Sequence, residues 1–133
     1  MLRERLTDSR FVFHDKDSKK EVLNDWLSIN DDRILIGSGM YEGLDLKGDR
    51  AAFQIILKVP YPSLADDRNR LILKNDPEYY GWIASKDLLQ ACGRVCRGDQ
   101  DFGVTYMLDS QFDSWYNRMS HNLPSWFKDC VVR

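Results

Sequence analysis

The chain is poor in the residues that would declare a binding chemistry on their own. Its 133 residues hold three cysteines and two histidines. Cys92, Cys96 and Cys130 make no CxxC pair and have no nearby histidine to complete four ligands, so buried free thiols are expected and no metal site is assigned. His14 and His121 stand alone and read as structural or surface residues. Long apolar runs are also missing. Nothing approaches the roughly 18 residues of a membrane span, and the N-terminus MLRERLTDSR has no apolar signal core. The chain therefore reads as soluble and intracellular, with no membrane partner. A basic excess is absent too: 19 Lys and Arg stand against 21 Asp and Glu, a net charge of −2. Any contact with nucleic acid has to be a local patch. GxxxxGK[ST] does not occur, so the chain cannot cradle a triphosphate by itself as a P-loop does. Gly37-Ser38-Gly39 is too short for a dinucleotide fingerprint. Asp101-Phe102-Gly103 spells the kinase magnesium triplet, but no HRD loop or VAIK lysine accompanies it.

What is present is enough for one packed core, with 43% hydrophobic and 12% aromatic residues. Short apolar runs alternate with amphipathic ones. Phe11 to His14 reads as a strand, and Ser18 with Glu21 as a capping box for a helix from Lys19 to Ile29. Val22, Leu23, Trp26, Leu27 and Ile29 make its buried face. Arg33 to Ile36 is a second strand, of the kind covered on both faces in a parallel sheet. The loop from Gly37 to Arg50 holds four glycines and follows a strand end, where open α/β sheets place ligands. Phe53 to Val59 is a third strand, stopped by Pro60 and Pro62. Ser63 or Asp66 can cap a helix through about Leu73. A long helix is expected from about Tyr79 to Arg97, a fourth strand over Gly103 to Leu108, and a helix over Phe112 to Met119. A short final helix or tail follows Leu123-Pro124. Strands alternating with helices argue an α/β fold with a doubly wound parallel sheet. Trp115, Trp126 and Phe127 are expected in core or interdomain packing. Tyr79, Tyr80 and Trp82 could stack on bases or staple the long helix to the core.

The long helix is the most informative stretch. Leu88, Ala91, Cys92 and Val95 fall at i, i+3, i+4 and i+7, a seam that must be buried. Gln90, Arg94 and Arg97 share the opposite spacing, so an amide and two guanidinium groups would project in one row. Gly93 lies within that row. A glycine inside a helix costs about 1 kcal/mol relative to alanine, which suggests a close neighbour against the backbone there. Two planar, permanently charged forks are the groups needed to reach a γ-phosphate and stabilise charge during its transfer.

Gln90-Ala91-Cys92-Gly93-Arg94-Val95-Cys96-Arg97 resembles the QxxGRxxR motif VI of superfamily 2 helicases. Glu42-Gly43-Leu44-Asp45-Leu46, followed by Gly48, resembles motif V in the EGxDxxG form of the XPD/DinG (Rad3-related) DNA helicases. Val59-Pro60-Tyr61-Pro62, Asp101-Phe102-Gly103 and Leu108-Asp109 agree with the same pattern, so the resemblance covers nearly the whole chain. It implies the second RecA-like motor domain of such a helicase, residues 1–133. The fold would be a parallel sheet of about four or five strands with helices on both faces. Arg94 and Arg97 would act as arginine fingers on ATP held by a separate first motor domain. Gln90 and Gly93, with Glu42, Gly43 and Asp45, would face the same ATP cleft. Ser38, Gly39 and Tyr41 would touch DNA, expected to be single-stranded. ATP and Mg²⁺ would be held mainly by the first motor domain, a partner in cis or in trans, and the chain alone would be inactive. The family implies roles in DNA repair and a cytoplasmic, nucleoid-associated location in a prokaryote or a nuclear one in a eukaryote. Two departures stand out. A first strand with motif IV is missing or reduced before Phe11, as in a C-terminal fragment or split gene product, and Gln111 stands where many relatives carry arginine. The rival reading is a non-catalytic RecA-like module for nucleic-acid or protein interaction. An upstream GxxxxGK[ST] and DEAH-type motif in the same frame would discriminate the two.

Overall fold

A computed structural model of the chain describes residues 2–40, 46, 52–95 and 102–132. The chain divides into two compact units, residues 1–40 and 41–133, and each is taken by itself.

The first unit is a strand, helix, strand repeat preceded by a short helix, α1 (Leu2–Arg5). β1 (Phe11–Phe13) and β2 (Ile34–Ile36) pair in parallel, Val12 opposite Leu35. Their connection is α2 (Lys19–Ser28). Its start departs from the expected capping box. Ser18 is the N-cap but caps nothing with its side chain, because its Oγ accepts the Asp15 N–H at 2.9 Å. The hydroxyl closes the preceding turn instead. The helix stops one residue early: Ile29 is extended and about half exposed, not part of the buried face. Val22, Leu23, Trp26 and Leu27 are half-buried as expected. The Trp26 indole donates to Arg33 O at 3.1 Å, and the Arg33 guanidinium bonds Asp25 and Asp31 at 2.8 and 2.7 Å. These bonds fix the turn that delivers the chain to β2.

The second unit has β3 (Phe53–Ile56) parallel to β4 (Val104–Met107), with Gln54 opposite Thr105. β3 is shorter than the apolar run suggests. Beyond Ile56 the Val59 N–H turns to Asp109 Oδ2 at 2.8 Å rather than to a ladder carbonyl. Two helices connect the strands, α3 (Asp67–Asn75) and α4 (Pro77–Cys92). Of the two candidate caps, Asp66 is the one used, accepting the Arg68 N–H at 2.8 Å. Asp76 serves both helices: its backbone N–H closes the end of α3 on Ile72 O, and its carboxylate accepts the Tyr79 N–H at 2.9 Å to start α4. Pro77 fills the first turn of α4, where a missing N–H costs nothing. After β4 come α5 (Phe112–Met119), a 3₁₀ turn (Ser120–Asn122) and α6 (Ser125–Cys130).

The core of this unit gathers Ile56 and Val59, then Ala84, Leu88 and Ala91 of α4, Trp115 and Met119 of α5, and Leu123 and Phe127. Gly81 lets α4 approach α5, since a Cβ there would meet Met119 Sδ at 2.8 Å. Trp115 and Phe127 are core residues as expected, whereas Trp126 is about half exposed. The other face of the strand pair is open: Phe53, Ile55 and Tyr106 are each about half exposed.

Candidate functional site

The seam of α4 is buried as its spacing predicts: Leu88, Ala91 and Val95 are inside and Cys92 is partly so. The polar row is corrected at its far end. The helix ends at Cys92, so Gly93 is its C-cap and not an interior residue. The Gly93 N–H still reaches Leu89 O at 3.0 Å, but the Arg94 N–H bonds Ala91 O at 3.1 Å, a tightening of the last turn. Arg94 therefore sits on a turn, not one helical turn beyond Gln90 on a continuing face. Among the described residues no close neighbour of the kind expected at Gly93 is found. A Cβ there would meet Leu89 O at 3.5 Å and Gln90 O at 3.8 Å, ordinary contact. The residue has φ −69°, open to any side chain.

Gln90 is exposed and Arg94 is half-buried, within four residues of each other at the C-terminal end of α4. Arg94 has an interaction partner of its own. A cation suits the last carbonyls of a helix, which carry partial negative charge. Arg97, like Tyr41, Glu42, Gly43 and Asp45, lies outside the described residues.

Three residues missed in the sequence hold this turn. Gln54 Nε2 donates to Ala91 O at 2.9 Å and to Thr105 Oγ1 at 2.8 Å. The Ala91 carbonyl can only accept, which fixes the orientation of the amide. Thr105 in turn bonds the Cys92 thiol. Burial raises that thiol to about 11, with Thr105 opposing in part, so Cys92 is a protonated packing residue at neutral pH. Gly103 lies against Val95. One signal was legible: an amide in an otherwise apolar strand, Phe53-Gln54-Ile55-Ile56, needs a partner when the strand is covered.

Ser38 and Gly39 belong to the first unit, in the exposed loop after β2. The Ser38 N–H donates to His14 Nε2 at 3.1 Å, while His14 Nδ1 lies 3.0 Å from Asp15 O. Since that carbonyl accepts only, Nδ1 carries the hydrogen and Nε2 receives Ser38. His14 is thus structural, and the Ser38 amide is already engaged. Gly39 adopts φ +63°, which favours glycine. Its carbonyl accepts the Lys19 ammonium at 2.6 Å. Lys19 is a second missed residue group; a cation in the first turn of a helix opposes the dipole and so asks for another partner.

The aromatic residues before the motif separate by role. Tyr80 is buried, stacks on Tyr61 at 5.5 Å and donates its hydroxyl to Pro62 O at 2.6 Å. It staples the helix. Tyr79 and Trp82 are exposed and line a shallow groove of about 350 Å³ with Asp76, Glu78 and Asn122. Glu78 accepts from His121 and Asn122, each at 3.0 Å, and these bonds hold its carboxyl below the usual range. Two carboxylates beside the rings make a poor platform for a phosphate-bearing strand. Among the described residues no group of three or more His, Cys, Asp or Glu is placed to hold a metal ion. No described helix is long and apolar enough to cross a membrane.

The model of the family described as "Helicase C-terminal domain" matches residues 1–130. The chain belongs to that helicase C-terminal domain family. It is of the XPD/DinG (Rad3-related) superfamily 2 type, and the family's fold is RecA-like. The regulator of telomere elongation helicase 1 homolog of Caenorhabditis briggsae is 29% identical over 108 residues, covering 69% of this chain and 11% of that protein. The human regulator of telomere elongation helicase 1 is 29% identical over 106 residues, 68% of the chain and 8% of that protein. The ATP-dependent DNA helicase CHL1 of Debaryomyces hansenii is 24% identical over 155 aligned residues, 94% of the chain and 18% of that protein. The chain thus spans a fifth or less of these relatives. No solved structure matches it.

Proposed function

We propose that this chain is the second motor domain of an ATP-dependent DNA helicase, completing an ATP site whose phosphate cradle lies on a separate first motor domain. The observation that carries the reading is the placement of Arg94: directly after a buried helix, on a hydrogen-bonded turn beside the exposed Gln90. A guanidinium so mounted can reach a phosphate presented from outside the domain. Arg94 and Arg97 stabilise charge on the transferring phosphoryl group, and Gln90, Gly93, Glu42, Gly43 and Asp45 line the same cleft. The donors present fit part of a nucleotide site. They offer guanidinium and amide groups but no glycine-rich loop with lysine, so ATP and Mg²⁺ belong mainly to the first domain. Ser38, Gly39 and Tyr41 contact single-stranded DNA. With the Ser38 amide engaged, its hydroxyl and the Lys19 ammonium hydrogens not used by Gly39 O are the groups proposed to meet phosphate there. The finer fold expectation, one sheet of about four or five strands spanning residues 1–133, belongs to this reading. The relatives named above are all eukaryotic, which favours the nucleus over the cytoplasm.

The test is Arg94→Ala in the complete motor. Turnover should fall by about 10³-fold or more, the range known for arginine fingers, while nucleotide binding, measured with a fluorescent ATP analogue, stays within a few-fold. Unchanged turnover would remove the finger assignment.

A further inference from the structure

The proposed function puts Arg94 on a turn that has left its helix, where backbone freedom would ordinarily return. The strand pair restrains that turn from both ends. On one side, Ala91 O receives both the Arg94 N–H at 3.1 Å and the Gln54 amide at 2.9 Å. Gln54 is held in turn by Thr105, its cross-strand neighbour in register, at 2.8 Å. Thr105 reaches on to Cys92. On the other side, Gly103 lies so close to the residue after Arg94 that a Cβ would stand 2.5 Å from Val95 O and 2.8 Å from Val95 Cβ. The first obstacle is backbone and cannot step aside as a side chain can. Ala91 and Val95 therefore flank Arg94 with a fastening each, one a hydrogen bond from β3 and one a steric fit at the entry to β4.

We infer that Gln54 and Gly103 are positioning residues for Arg94, setting the direction of its guanidinium by fixing the backbone on either side. This rests on the arginine-finger reading for its catalytic consequence, but not for its geometric one. A finger acts only when its donors stand where charge develops, and a displacement of about 1 Å can cost about 10²-fold in rate. The sheet that makes the core thus also aims the arginine. Neither residue touches nucleotide in this scheme.

Two measurements separate the inference from the reading beneath it. In the 133-residue chain, Gln54→Met keeps the side-chain volume and removes the donor. Amide exchange at Arg94 should speed by about tenfold, the effect of losing one net hydrogen bond, while Leu88, deep in α4, keeps its protection. Thr105→Val, which removes the brace on Gln54 and the contact to the Cys92 thiol but leaves the Gln54 bond to Ala91 O, should give a smaller change in the same direction. Arg94 exchange unaltered in both variants would overturn the inference. In the complete motor, Gln54→Met and Gly103→Ala should each lower kcat by about tenfold or more with KM for ATP unchanged. Arg94→Ala runs beside them. If Arg94→Ala cripples turnover but the two variants keep wild-type kcat, or lose it only in proportion to folded protein, the positioning role is wrong. If Arg94→Ala leaves turnover intact, the finger reading fails and the exchange data decide the geometry alone.

Discussion

At the scale of single residues, two side chains are held in ways that measurement can read directly. Trp115 is fully buried, yet its indole N–H is the one buried side-chain donor without a partner among the described residues. A buried orphan donor costs about 1–3 kcal/mol, so the ring contributes packing against Phe112, Tyr116 and Phe127 while its nitrogen subtracts from it. Trp115→Phe should therefore stay within about 1 kcal/mol of the parent in urea denaturation, whereas Trp115→Ala should lose about 3–5 kcal/mol. A phenylalanine variant as damaged as the alanine one would show that the nitrogen has a partner. Cys92 gives the pH prediction. Its folded thiol titrates near 11 against an ordinary value of 9.0. The folded state therefore holds the proton more tightly than the unfolded chain. That contribution is fully present below about pH 9 and is lost as pH rises towards 11. With Cys96 replaced by serine, iodoacetamide at pH 8 should modify the exposed Cys130 well before Cys92. Equal rates, read by mass spectrometry, would contradict the burial of Cys92.

At the scale of elements, the strands and the helices from α2 to α5 fall where the sequence places them, α5 at its expected bounds and several others with shifted ends, while the 3₁₀ turn Ser120–Asn122 is not foreseen and the expected final helix or tail is the helix α6. The reasons are local. Ser18 carried the signature of an N-cap, but its hydroxyl had a competing use three residues upstream, and no spacing rule ranks one backbone amide over another. α4 ends sooner than its periodicity predicts because the apolar seam, and the burial with it, continues through Val95; only the helical hydrogen bonding stops. Periodicity reports which face is covered, not which carbonyl is bonded. The role of Gln54 is not legible locally because its partner Ala91 lies 37 residues away, a distance no local motif spans. Arg94 and Gln90 are candidates from the motif alone, while the fastening of Arg94 is visible only in the fold. Asp76 supplies the test at this scale. Removing its carboxylate strips the N-cap of α4 and leaves the backbone bond that ends α3, so Asp76→Ala should cost about 1 kcal/mol. The loss should appear as a lower thermal midpoint with Trp115 still buried by fluorescence. A variant with an unchanged midpoint would show that Pro77 alone starts the helix.

For the whole molecule, the balance of charge and the incomplete nucleotide chemistry point the same way. A chain with net charge −2 has no general field for DNA, and its cationic groups are useful only where the fold concentrates them. On the proposed reading, one arginine on a turn accelerates nothing unless another domain brings the phosphate to it. The isolated 133-residue chain should accordingly release no phosphate from ATP above buffer, with or without single-stranded DNA. Robust hydrolysis that Arg94→Ala abolishes would mean that this chain binds nucleotide unaided. Restoration of turnover on adding a first motor domain in trans would instead locate the missing half.

The double use of Asp76 limits what insertions and deletions the chain can tolerate. One residue ends α3 and begins α4, so the joint has no slack: an added residue would part the Ile72 bond from the Tyr79 cap and rotate α4 by about 100° relative to the turn that holds it. Length changes among relatives are therefore expected in the segment between β3 and Asp66 or after Met119, and not between Asn75 and Tyr79. A single-residue insertion scan across residues 60–80, scored for folded protein, would show that joint as a sharp gap between tolerant flanks.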